Sequence, residues 1–188
     1  MSKQIALPFP ESWWIIQARV LAGCTPAAHL DSTTNDRIAA LINLNVTLII
    51  DLSPTADTSY TRIFNQLKQQ QKSPIRYLPI DLNTKCIPSS SKVKSILDTI
   101  DKEVANQGLV YIHCKALRGC TGLISACYLI RNNHTPEQAI QYIGSAQASI
   151  PPQYNTMPRT YAQFNLIHDW PQYDPPKIPS PLKTTPTK

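Results

Sequence analysis

Residues 110–130, VYIHCKALRGCTGLISACYLI, decide how this chain is read. Leu109–His113 is a short apolar run with the character of a buried strand. Leu123 onward is an apolar run suited to a buried helix ending near Arg131. Between them lies CKALRGCTG, a short loop that enters the helix at Thr121-Gly122. A strand that passes through a short loop into a helix N-terminus aims backbone N–H groups and the positive end of the helix dipole at one point, which holds an anion. A cysteine at the base of such a loop, Cys114, has its thiolate stabilised and can attack phosphorus. Thr121 can donate a hydroxyl hydrogen bond to that sulfur. Chemistry alone also allows the plainer reading, a buried cysteine that ends a strand.

Outward from this stretch, strand and helix patterns alternate. Arg19–Gly23, Val46–Leu52 and Ile75–Ile80 read as strands, and VTLIIDL as one buried on both faces. Helical spacing appears over Asn35–Leu44, with Asn35 a candidate N-cap, over Ser59–Gln71, and over Ser89–Asn106. Gly108 is a stop after the last of these. Thr135-Pro136-Glu137-Gln138 opens another helix with a cap and a proline at the first position, and a final helix spans about Arg159–Trp170. Such alternation predicts a single α/β domain with a central, mainly parallel sheet flanked by helices.

The chain has 188 residues, 42% of them hydrophobic, enough for one real core. Residues 1–7 are expected to be an N-terminal arm, 8–171 the folded domain, and 172–188 a disordered tail rich in Pro, Lys and Thr. Pro176 and Pro179 in that tail give a P-x-x-P spacing suited to partner binding. Apolar runs are too short for a membrane span and no signal peptide is evident, so a cytoplasmic protein is expected. The net charge of +6 reads as a solvated basic surface, without any spacing that suggests nucleic-acid binding. None of the five cysteines shows metal or redox C-x-x-C spacing, and neither a metal nor a cofactor is expected.

HCKALRGCTG resembles the signature loop of the cysteine-dependent protein phosphatases, H-C-x-x-G-x-x-R-[ST]-G, of the tyrosine and dual-specificity type. The likeness extends to PFPESWWIIQARVLAG, VTLIIDL, LPIDL with IPSSSKVKSILDTID, and MPRTYAQFNLIHDW, and so covers about residues 8–171. It implies the phosphatase fold, Cys114 as nucleophile, and a phosphate loop of Lys115, Ala116, Leu117, Arg118, Gly119, Cys120 and Gly122. It also implies that His113 orients the loop, that Thr121 supports the thiolate, and that Gln163 orients the hydrolytic water or the loop. Asp81 is the general-acid candidate; equally, it is a loop residue bonding its own backbone.

The departures matter as much. Where the family has the arginine that grips two phosphate oxygens stands Cys120, and where it has a loop glycine stands Leu117. Loss of such an arginine should cost about 3–5 kcal/mol of barrier. Asp81 sits one place early relative to Pro79; counted from Pro88, the matching place is Thr84. The expectation is a catalytically impaired phosphatase, a pseudophosphatase, that binds a phosphorylated protein, lipid or small molecule. One alternative is an active phosphatase working through a phosphocysteine at Cys114, with Arg118 compensating. Another is a non-enzymatic interaction module, or a site switched by a Cys114–Cys120 disulfide.

Overall fold

In the computed structural model, described over residues 5–27, 33–53, 58–70, 74–82, 86–115 and 118–176, the strands alternate their faces as the pattern requires. The elements are β1 (Ser12–Ile16), β2 (Val20–Cys24), α1 (Thr33–Asn43), β3 (Leu48–Asp51), α2 (Thr58–Gln70), β4 (Arg76–Pro79) and α3 (Ser90–Ala105). Then follow β5 (Val110–Cys114), α4 (Cys120–Arg131), α5 (Pro136–Ala146), a single 3-10 turn at Pro152–Tyr154, and α6 (Tyr161–Tyr173). The strand order is β1-β2-β5-β3-β4, with β1 antiparallel to β2 and every other pair parallel. The chain therefore is a single-domain α/β protein with a mainly parallel sheet flanked by helices.

Period-two alternation divides the core in two. Val20, Ala22, Leu48, Ile50, Val110 and Ile112 face the layer that includes α3–α6. Leu21, Ile49 and Tyr111 face the α1 and α2 side, with Phe9 and Trp14. β5 lies mid-sheet, every residue buried, because apolar layers cover both of its faces. α4 is buried from end to end, so its apolar run is that of a core helix, not an amphipathic one.

Local signals set the boundaries. Ser89 caps α3, and Thr135 and Thr160 each form a capping box, with Gln138 and Gln163 respectively. Asn35 lies inside α1, which begins at Thr33, so it does not cap that helix. β1 was not foreseen as a strand. It pairs Ser12 with Gly23 and Trp13 with Ala22, and Trp14 Nε1 donates to the Ile5 carbonyl at 3.0 Å, tying the arm to the sheet. α6 runs on to Tyr173, into the segment expected to be tail; residues 177–188 lie outside the described residues.

Asp174, just past α6, shows why that extension is ordered. Arg131, the last residue of α4 and 2% exposed, donates through Nε to Asp174 at 2.5 Å. Its Nη1 donates to Asp98 and Asp101 of α3, both at 2.8 Å. One guanidinium thus joins the C-terminal ends of α4 and α6 to the second half of α3 by charge-assisted bonds. Replacement Arg131→Ala takes the cation away from the buried Asp174 and the partly buried Asp101 and should cost about 3 kcal/mol in urea unfolding at neutral pH. A loss below about 1 kcal/mol would show the network to be peripheral.

Candidate active site

The C-terminal ends of the parallel strands bring Cys24, Asp51, Pro79 and Cys114 to one edge of the sheet, the edge at which open α/β sheets place their sites. β5 delivers His113 and Cys114 there. Its neighbour β3 delivers Asp51, in register with His113.

Cys114 is fully buried. The amides of Cys120 and Thr121, at the first turn of α4, and the otherwise unpartnered Thr121 hydroxyl point to its sulfur. This is the anion-directed geometry expected from the loop. Burial pushes the thiol pKa up, however, and outweighs the Thr121 and Cys120 donors, while the Asp51 carboxylate pushes it up as well. In the ligand-free protein Cys114 is a thiol at neutral pH.

The first half of the loop is held from β3 and β4. Asp51 is 2% exposed; its Oδ1 accepts from the Ser53 amide at 2.9 Å and its Oδ2 from the Tyr77 hydroxyl at 2.5 Å. His113 Nδ1 lies 3.6 Å from Asp51 Oδ1, and its ring packs at 5.6 Å from that of Tyr111. Burial works against the Asp51 charge, but His113, Ser53 and Tyr77 together outweigh it, and its pKa falls below the usual carboxylate value. Burial also lowers the His113 pKa, against the pull of Asp51. Ser53 Oγ in turn accepts from the Lys115 amide at 3.2 Å, while the Lys115 side chain faces solvent.

The second half is held from α6 and from the segment after β4. Gln163 is fully buried and its carboxamide is saturated. Its Nε2 donates to the carbonyls of Arg118 at 2.9 Å and Cys86 at 3.1 Å, and its Oε1 accepts from the amides of Arg159 at 2.7 Å and Thr160 at 3.4 Å. With both N–H donors used, Gln163 in this state orients the loop and has none left for a water. Gly119 has φ +75°, and a Cβ there would meet Gln163 Oε1 at 2.7 Å and the Met157 carbonyl at 2.8 Å. Only glycine fits. Gly122 sends its amide to the Thr156 carbonyl at 3.0 Å, so the Thr156–Pro158 segment also buttresses α4.

A disulfide joins Cys86 to Cys120, with Cα atoms 5.6 Å apart, and Cys114 remains a free thiol. This replaces the Cys114–Cys120 pairing considered from sequence: Cys114 faces the helix amides, whereas the Cys120 side chain reaches the segment after β4. A cross-link over a separation of 34 residues stabilises the folded state by about 3–4 kcal/mol.

Arg118 is half-buried, and its Nη1 is buried without a hydrogen-bond partner among the described residues. Asp81 is exposed, two residues beyond β4, and the preceding Ile80 amide is bonded to the Asp51 carbonyl at 2.7 Å. Ala116, Leu117 and Thr84 lie outside the described residues. Sequence reading passed over Asp51, Ser53, Tyr77 and Cys86. A carboxylate closing the apolar run LIID was the available signal for the first.

Because burial dominates the Cys114 thiol, its alkylation by iodoacetamide should still be accelerating above pH 9. A rate already flat below about pH 7 would mean a stabilised thiolate and contradict this electrostatic picture.

The family model described as "Tc-R-P: Polymorphic toxin system, DSP-PTPase phosphatase" matches residues 24–134. Among solved structures, PTPMT1 in complex with PI(5)P is 20% identical, with TM-score 0.64 over 87% of this chain and 96% of that one. TpbA of P. aeruginosa in complex with pTyr is 16% identical, with TM-score 0.63 over 91% and 92%. The human tyrosine phosphatase-like serine/threonine/tyrosine-interacting protein is 14% identical, with TM-score 0.60 over 86% and 95%. At these identities the likeness is one of fold. No curated protein sequence gives a significant match. The family model spans more than half of the chain and takes in β5, Cys114 and the whole of α4; the protein therefore belongs to the DSP-PTPase phosphatase family of polymorphic toxin systems.

Proposed function

We propose that this protein binds a phosphorylated ligand at the loop between Cys114 and Gly122 and hydrolyses it poorly. The observation that carries this reading is the state of Cys120. At the position where the resemblance puts the phosphate-gripping arginine stands a sulfur already bonded to Cys86, and it brings no charge to a phosphoryl transition state. The raised Cys114 pKa points the same way, since a neutral thiol is a weak nucleophile. The ligand class is a phosphate monoester on a protein, a lipid or a small molecule; a pTyr-bound and a PI(5)P-bound relative in fold support that breadth.

One observation favours a second reading, in which the site turns over. Arg118 keeps a buried guanidinium nitrogen without a partner among the described residues, and a bound phosphate would satisfy it. On that reading Arg118 replaces the missing arginine, Cys114 forms the phosphocysteine, and Asp81 protonates the leaving oxygen. A third reading is a non-enzymatic module that binds partners through the Pro-rich tail, of which residues 177–188 lie outside those described.

The expected cytoplasmic location sits poorly with a disulfide beside the site. Disulfides persist in oxidising compartments, and a polymorphic toxin system fits a chain that spends part of its life in one. Among the described residues no helix is long and apolar enough to cross a membrane.

Single-turnover hydrolysis of an aryl phosphate separates the first two readings. Wild type should show little or no activity above Cys114→Ser, while Cys120→Arg in a Cys86→Ser background should gain about 10²-fold. Cys114-dependent activity in wild type, lost on Arg118→Ala, would establish the second reading and refute the first.

A further inference from the structure

Two links of different kinds join the segment after β4 to the phosphate loop. The covalent link is Cys86–Cys120, at the first residue of α4. The other is the Gln163 carboxamide, whose Nε2 donates to the Cys86 carbonyl and to the Arg118 carbonyl. Both links run between the same two stretches, Cys86 on one side and Arg118–Cys120 on the other. Gly119 leaves no slack between them, because its αL backbone is packed against Gln163 and Met157. All four side chains of this clasp and of the nucleophile are buried: Cys86, Cys120, Gln163 and Cys114 are fully covered. The residue before Thr121 in the helix turn that faces the Cys114 sulfur is therefore fixed in place by a redox-sensitive bond.

Resting on the reading of this loop as a phosphate site, we propose that Cys86 and Cys120 are positioning residues whose disulfide is a latch: it holds the loop amides and Arg118 in their anion-binding arrangement, so that ligand affinity depends on redox state. In the oxidised protein the Cys120 and Thr121 amides converge on Cys114, and the Arg118 backbone is pinned with its Nη1 buried and without a partner among the described residues. Opening is a two-electron exchange. A dithiol reductant attacks one sulfur of the disulfide, the S–S bond breaks, the reductant leaves as its own disulfide, and Cys86 and Cys120 each take up a proton as thiols. After that the Gln163 hydrogen bonds still couple the two stretches, but the covalent tie between them is gone. The loop then has to be ordered by the ligand itself, which lowers affinity by the cost of that ordering. The latch thus covers a function that the arginine would otherwise share, fixing the second half of the loop, without supplying its charge.

The test uses the full chain and tungstate, a tetrahedral oxyanion, titrated by calorimetry at a temperature where circular dichroism shows every form folded. Thiols counted in denaturant without reductant come first: three, from Cys24, Cys114 and Cys127, agree with the latch, and five contradict it. Oxidised wild type should bind tungstate about tenfold more tightly than dithiol-reduced wild type. Cys86→Ser and the double variant Cys86→Ser/Cys120→Ser should match the reduced protein under both conditions, while Cys127→Ala, a core change about two turns along α4 from Cys120, keeps the redox dependence. Equal affinity of oxidised and reduced wild type, even with a drop in melting temperature on reduction, would make the disulfide a stabilising cross-link only and overturn the latch. Absence of tungstate binding in every form would instead overturn the phosphate-site reading, and the latch with it.

Discussion

Five residues, 115–119, separate the end of β5 from the start of α4. Everything at the site depends on that constraint. β5 is locked into the middle of the sheet and α4 is buried along its whole length, so neither end of the connection can move. The chain must reverse within a few residues, and it does so with Gly119 in the left-handed region. That turn sets the first amides of α4 over the Cys114 sulfur. The anion-directed geometry is a consequence of sheet and helix packing before any side chain is considered.

Two sets of contacts then hold the turn from opposite sides. Asp51, Ser53 and Tyr77 act from the sheet on His113 and Lys115. Gln163, Cys86 and the Thr156–Pro158 segment act from the helix side on Arg118–Gly122. The electrostatic balance is the unusual part. A buried carboxylate lies on the sheet side, and the position at the head of α4 carries a disulfide sulfur in place of a cation. Burial first, and then the Asp51 carboxylate, work against a resting thiolate at Cys114. The loop keeps its shape for an anion while the Cys114 thiol is held uncharged, the combination on which the proposed binding role rests.

The sequence made much of this legible. The strand–loop–helix reading of residues 110–130 matched β5 and α4 because the apolar runs were long and the breakers sharp, and the Thr135 cap was visible in sequence, whereas the Thr160–Gln163 capping box was not read. What escaped depended on contacts distant in sequence. β1 exists because Ser12–Ile16 finds β2 across a tight connection, and two adjacent tryptophans on opposite faces do not announce a strand. The Cys86–Cys120 bond joins residues 34 apart, and no spacing rule in a chain with five cysteines selects it. Gln163 was recognisable as a residue of interest, but its saturation by four backbone partners is a property of the packed site alone. Asn35 was chosen as a cap from composition, whereas the helix had already begun at Thr33.

The central claim is that the loop binds a phosphate monoester and leaves it intact. It is tested most directly by titrating the 15N-labelled, oxidised chain with phenyl phosphate while following backbone amide resonances and the phosphorus signal of the ester together. The account predicts saturable shifts centred on the amides of Arg118–Gly122, with the ester signal persisting throughout. Shifts confined to other parts of the surface, or rapid replacement of the ester signal by that of inorganic phosphate, would contradict it.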